Sequence, residues 1–174
     1  AMYARADKLR RGICQGLADC AVYEHKKFGK IYAYETDGLG NYNLMDDANV
    51  PSLLSLPYLG YCSEDDEIYQ NTRRFVLSKD NPYYFEGRCM RGVGSPHTAE
   101  GYVWPISLII QLMTSGSEAE KRELLQTLLR TDAGTDCMHE GINVNNSSEY
   151  TREWFAWANS LFACGVLQQG ADAI

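Results

Sequence analysis

The 174-residue chain has no Cys-x-x-Cys pair, no stripe of basic residues and no long unbroken apolar run. Each absence removes a class of protein. The six cysteines, at 14, 20, 62, 89, 137 and 164, show no paired zinc spacing, so buried free thiols are expected. Sixteen Lys and Arg against 23 Asp and Glu leave a net charge of −7. No RNA-binding motif interrupts that acidic balance, and a nucleic-acid partner is not expected. The most apolar stretch, Val103 to Met113, is broken by Pro105 and Gln111 and falls short of the roughly 18 to 20 residues of a membrane span. A membrane is not an expected partner either. Gly92 and Gly94 form a G-x-G, but the third glycine of a dinucleotide fingerprint is missing and no βαβ unit surrounds it. His139-Glu140 lacks the second histidine of a zincin helix, because position 143 is Asn, so neither a metal nor another cofactor is expected. The N-terminus, Ala1-Met2-Tyr3-Ala4-Arg5, has no apolar targeting region and reads as a cut inside a longer chain.

What is present is a 45% apolar composition, enough for one sizeable core in a single domain. Six helices are expected. Arg5 to Lys27 places Leu9, Ile13, Leu17 and Ala21 on one stripe. Asn49 to Tyr61 starts with a cap residue and Pro51 and is apolar on nearly all sides, although Pro57 should kink or end it. Asp65 to Ser78 is one-sided, whereas Tyr102 to Thr114 is apolar almost all round. Ser117-Glu-Ala-Glu120 opens an amphipathic helix that Gly134 stops, and Thr151 to Gln168 reads as buried.

Outer amphipathic helices thus alternate with inner apolar ones. That pattern implies an all-α fold in two concentric layers, an α/α toroid. Connections from outer to inner helices are the long ones, so three polar loops emerge on one rim. The first carries an alternating segment, Lys30 to Glu35, and a turn signal, Asp37-Gly-Leu-Gly-Asn41, from which a small β-hairpin is expected. Three helix pairs make half of a ring of twelve, and an open half-ring would expose inner helices to water. Residues 1–174 are therefore expected to form one partial domain, its missing half lying before Ala1.

The rim carries the chemistry. Asp46, Asp47 and Asn49 stand at the start of an inner helix, where acids are favoured by about 0.3 to 1 kcal/mol. They serve either as caps or as fixed acceptors for sugar hydroxyls. His97, as a rim histidine or a substrate contact, lies near Trp104 in the second loop, and Trp154 is placed to reach the rim from the last helix. Glu140, in a Gly-flanked third loop, is the candidate general base acting on water. Asn145 and Asn146 both begin glycosylation acceptor patterns.

Met45-Asp-Asp-Ala-Asn-Val-Pro-Ser-Leu-Leu-Ser-Leu-Pro-Tyr-Leu-Gly60, Gly94-Ser-Pro-His-Thr98, Tyr102-Val-Trp-Pro-Ile106, Met138-His-Glu140 and Tyr150-Thr-Arg-Glu-Trp-Phe-Ala-Trp-Ala-Asn159 together resemble glycoside hydrolase family 125. The resemblance covers nearly the whole chain. It implies a metal-independent exo-α-1,6-mannosidase that inverts the anomeric centre, built on an (α/α)6 barrel of which this chain is the C-terminal portion. It also implies a mannose-containing oligosaccharide or N-glycan as partner, Glu140 as general base, and an aspartate upstream of this chain as general acid. Asp46, Asp47, Asn49, His97, Trp104, His139 and Trp154 are then expected to bind sugar. Gly141 departs from the Ser expected there in many relatives. The alternatives are another (α/α)6 glycosidase, or a non-catalytic sugar-binding half-toroid.

Overall fold

A computed structural model describes residues 2–170 of the chain. Five helices, rather than six, are joined by nine short strands in four antiparallel sheets, so the described residues are helix-rich but not all-α. Helix α1 (Met2–Cys20) carries Leu9, Ile13 and Leu17 of the expected stripe but ends seven residues early, before Ala21, and none of its residues is buried. The β-branched and aromatic pair Val22 and Tyr23 instead begins β1 (Val22–His25), which pairs with β2 (Gly29–Tyr32). A second hairpin follows, β3 (Glu35–Thr36) with β4 (Tyr42–Asn43). Its turn is held by Asp37, which accepts from the amides of Leu39 and Asn41 at 2.8 and 3.1 Å. The expected turn at Asp37–Asn41 thus closes a hairpin, but Lys30 to Tyr32 of the expected alternating segment pair back with β1.

Residues 49–61 do not form the helix expected of them. They make a succession of turns with a cis bond at Val50–Pro51. Two prolines interrupt the segment, and the side chains of Ser52 and Ser55 bond to nearby backbone groups. Leu53 and Leu54 are buried, whereas Tyr58 and Leu59 reach solvent.

Helix α2 (Glu67–Val76) is capped by Asp66, whose carboxylate accepts from the Tyr69 amide at 2.8 Å. It packs on β2, where Thr72 Oγ1 accepts from the Tyr32 amide at 2.8 Å and Asn71 donates to Lys30 O at 3.0 Å. Strands β5 (Tyr84–Glu86) and β6 (Arg91–Val93) form the third hairpin. Strand β7 (Tyr102–Val103) leads into α3 (Pro105–Met113), apolar and buried along almost all of its length, as its composition requires. Helix α4 (Glu118–Arg130) starts at Ser117, whose hydroxyl accepts from the Glu120 amide. Glu120 does not close the capping box. Its carboxylate turns inward to Arg73 and Gln111, at 2.8 and 2.6 Å, and to Ser115.

The last sheet has the order β7-β8-β9, with β8 (Gly141–Asn143) pairing with both β7 and β9 (Asn146–Thr151). Helix α5 (Ala156–Gln169) packs on α3, but only Ala158, Leu161 and Gly165 are buried; Trp157 and Leu167 are exposed. The expectation of burial on several faces is therefore not met among the described residues. The core gathers Leu53, Leu54, Tyr69 and Phe75 with the α3 residues Ile106, Leu108, Ile109 and Leu112. The cysteines are free but not buried: five are half-buried and Cys164 is exposed. Among the described residues, no helix is long and apolar enough to cross a membrane.

Candidate active site

The long connections between helices are short sheets, and those sheets bring the three loops together. The Ala48 amide donates to Gly94 O at 3.0 Å, joining the first loop to the second. Gly94 cannot be replaced easily, because a Cβ there would stand 2.1 Å from Tyr102 O. The pairing of Tyr102 with Asn143 and of Val103 with Ile142 then joins the second loop to the third.

The two adjacent acids have different surroundings. Asp46 is fully enclosed, and its two oxygens accept from the amides of Leu53 and Leu54 at 2.8 and 3.2 Å. Burial pushes its carboxyl up to about 7, although the amides of Leu53, Leu54 and Asp47 pull the other way. Asp46 therefore shapes the turn that replaced the expected helix. Asp47 accepts through Oδ1 from both the backbone and the side-chain nitrogen of Asn49, at 2.9 and 2.8 Å. Asn49 Nδ2 also donates to Ser95 Oγ at 3.4 Å, across to the second loop. The phenol of Tyr34 is held neutral, above its usual range, first by burial and then by the charges of Asp47 and Asp46.

His97 is exposed, and its ring is tilted at 41° to that of Trp104, with centroids 6.3 Å apart. Trp104 itself is buried and donates from Nε1 to Thr98 Oγ1 at 3.0 Å. It forms a wall rather than an open platform. The backbone of Gly141 lies against this indole: a Cβ at Gly141 would meet Trp104 Nε1 at 3.2 Å and Thr151 Oγ1 at 3.3 Å. Thr151 Oγ1 is the one buried side-chain oxygen or nitrogen among the described residues without a hydrogen-bond partner.

Glu140 precedes Gly141 and is held at both ends. Its amide donates to Thr151 O at 3.1 Å, and its carboxylate oxygen Oε1 lies 3.1 Å from Arg152 Nε. The Glu140 side chain retains 14% exposure, against 66% for Arg152. Arg152 has φ of +45°, and its guanidinium also lies 5.7 Å from the Phe155 ring centre. Non-glycine residues rarely adopt positive φ, and such strain gathers at functional sites. Among the described residues the three that do so are Ala133, Asp136 and Arg152, and all lie in the two segments that frame Glu140. Arg152 is the residue that sequence reasoning missed: it stands in the Tyr-Thr-Arg-Glu-Trp run, but nothing in that run marks its pairing with Glu140.

His139 is completely enclosed. Its Nδ1 lies 2.7 Å from Glu153 O and its Nε2 lies 3.1 Å from Asp132 O, while its ring stacks on Tyr150 at 3.8 Å. In this arrangement His139 ties the third loop to the start of α5 and presents no atom to the rim. Trp154 sits in the bend before α5 and is exposed. The structure thus joins Asp47, Asn49, His97, Trp104 and Glu140 through one continuous set of contacts, with Trp154 two residues from Arg152.

A family model described as metal-independent alpha-mannosidase (GH125) matches residues 1–167. The Meiotically up-regulated gene 157 protein of Schizosaccharomyces pombe is 50% identical over 159 residues, 91% of this chain and 30% of its own length. A Streptococcus pneumoniae structure, described among metal-independent alpha mannosidases as a non-productive substrate complex with alpha-1,6-mannobiose, is 51% identical with a TM-score of 0.90. That similarity covers 94% of this chain and 38% of the solved one. The chain therefore spans about a third of the length of these relatives.

Proposed function

The chain belongs to the metal-independent α-mannosidase family, and on that premise we propose that the full-length protein removes non-reducing terminal α-1,6-linked mannose with inversion. The observation that carries the reading is the paired and strained setting of Glu140. A carboxylate mostly withdrawn from water and held by Arg152 is suited to orient a water molecule and take its proton. Water oxygen then bonds to the anomeric carbon as the bond to the leaving oxygen breaks, and a general acid protonates that oxygen. In inverting enzymes the two carboxyl groups stand roughly 6.5 to 9.5 Å apart to admit the water.

We assign the acid to residues outside this chain. Asp46 is enclosed with both oxygens engaged, and Asp47 is bound to Asn49, which supports a role for Asp47 and Asn49 in holding sugar hydroxyls. His97 and Trp154 supply exposed rings for the sugar face, Trp104 forms the wall behind them, and His139 positions the base. The same reading takes residues 1–174 as the C-terminal half of an (α/α)6 toroid. It is supported by Leu9 and Ile13 on α1 and Trp157 and Leu167 on α5, all exposed in the chain by itself.

The test is hydrolysis of α-1,6-mannobiose by the full-length protein, followed by proton NMR. β-Mannose is expected as the first anomer, and Glu140→Gln is expected to lower turnover by about 10²- to 10⁴-fold. Cleavage of α-glucosides but not of mannobiose, or near-normal turnover by Glu140→Gln, removes this assignment.

A further inference from the structure

A cavity of about 440 Å3 lies between the β5–β6 hairpin and α4, and it shares no residue with the candidate active site. Its volume is within the usual range for a small-molecule site. Leu77, Met90 and Leu124 contribute apolar surface, Gln111 and Thr127 add polar groups, and the half-buried ring of Tyr84 forms part of the wall.

The lip of this cavity is built, not loose. The Cys89 amide donates to Val144 O at 2.8 Å and the Arg88 amide to Asn145 Oδ1 at 3.2 Å. From the other side Arg130 donates to Cys89 O at 3.2 Å. A Cβ at Gly87 would stand 2.6 Å from Val144 O, so the loop lies against its support with no room between.

Charge identifies the ligand class. Three arginines, 88, 91 and 130, face three glutamates, 86, 120 and 123. Arg91 pairs with Glu123 at 3.1 Å, and Glu120 is engaged by Arg73, Gln111 and Ser115. Burial raises Glu120, but the Ser115 and Gln111 hydrogen bonds and the Arg73 charge outweigh it and keep the carboxyl below its usual range. A lining with equal numbers of the two charges gives no advantage to a free anion or cation. It offers both donors and acceptors around an aromatic ring, the surroundings that a neutral polyhydroxylated ring uses best. Strand β6 carries the chain from Arg91 at the cavity to Gly94 at the active-site rim, a path of about 10 Å at strand rise.

The geometry points to an accessory saccharide site in this cavity, which takes a second, non-reacting branch of the glycan whose terminal mannose is cleaved at the rim. Its choice of mannose rests on the proposed hydrolase reading; the site itself does not.

The experiment uses the full-length protein and two substrates, α-1,6-mannobiose and a branched α-1,3/α-1,6-mannopentaose. Tyr84→Ala and, separately, the exposed change Glu86→Ala are expected to raise KM for the pentaose roughly 3- to 10-fold while mannobiose kinetics stay unchanged. Equal effects on both substrates, or none on either, overturn the proposal. In parallel, 15N-labelled full-length Glu140→Gln protein is titrated with mannopentaose. Amide shifts at Gly87, Arg88 and Cys89 are expected, and their absence at saturation overturns the site while leaving the hydrolase reading intact. Shifts there, together with a wild-type full-length protein that hydrolyses neither substrate, support the site and remove the hydrolase.

Discussion

At the scale of single residues, Arg152 and Asp46 separate function from stability. Arg152 is mostly exposed, so its ion pair with Glu140 contributes little to folding. Its left-handed backbone is unfavourable by about 1 to 2 kcal/mol. Arg152→Gly is therefore expected to leave stability unchanged or raise it by up to about 1 kcal/mol, while kcat on mannobiose falls. Thermal unfolding and steady-state kinetics on the same preparation check this, and an equal loss in both would make Arg152 a structural residue. Asp46 behaves in the opposite way. Because its carboxyl is pushed up to about 7 in the fold, the folded chain holds a proton between about pH 4 and 7 that the unfolded chain has released. The stability that this group contributes is present below about pH 4 and lost as the pH rises towards 7. Asp46→Asn should remove that slope in denaturant titrations at pH 4 and 7. It should also destabilise by about 1 to 3 kcal/mol, since an amide nitrogen would face a backbone N–H.

At the scale of elements, α3 is the axis on which the rest is hung. It packs on α4 and α5, and Gly165 of α5 brings that helix so close that a Cβ would stand 3.3 Å from Ile109. Gly165→Leu is expected to destabilise by about 1 to 3 kcal/mol through overpacking, read as a fall in the denaturation midpoint. The burial of α3 was legible because Ile, Leu and Met occupy every side of the segment. The cap at Ser117 and the turn after Asp37 were legible because local side-chain bonds determine both. Residues 49–61 were not, since their leucines follow helical spacing and the carboxylate that takes the Leu53 and Leu54 amides belongs to the preceding loop. Outside the first loop the strands escaped notice for a related reason. Eight of the nine strands run for only two to four residues, too short for alternation to emerge, and the pairing of β7 with β8 joins partners distant in sequence. At the site, residue types and motifs indicated Glu140, but the enclosure of His139 and the reach of Arg152 depend on the sheet that joins their loops.

At the scale of the whole molecule, α1 is the least integrated element, with Leu9 and Ile13 in solvent. If the rest of a toroid covers this face, Leu9→Asp will hardly affect the 174-residue chain alone, whose unfolding should shift by less than about 0.5 kcal/mol. The same change should destabilise the full-length protein by more than about 1 kcal/mol. Equal, small effects in both would leave α1 uncovered and count against the half-toroid. The pairing of Val103 with Ile142 adds a consequence in time. These partners are separated by roughly forty residues, and contacts of that kind must await closure of the intervening chain. During synthesis the wall at Trp104 and the helices α3 and α4 therefore emerge first, and Glu140 reaches its place only when β8 docks. A nascent chain halted before β8 can gather the apolar surfaces of α3 and α4 but lacks the strand pairing that seats Glu140, so the residue proposed as base is set in place after the wall it stands against.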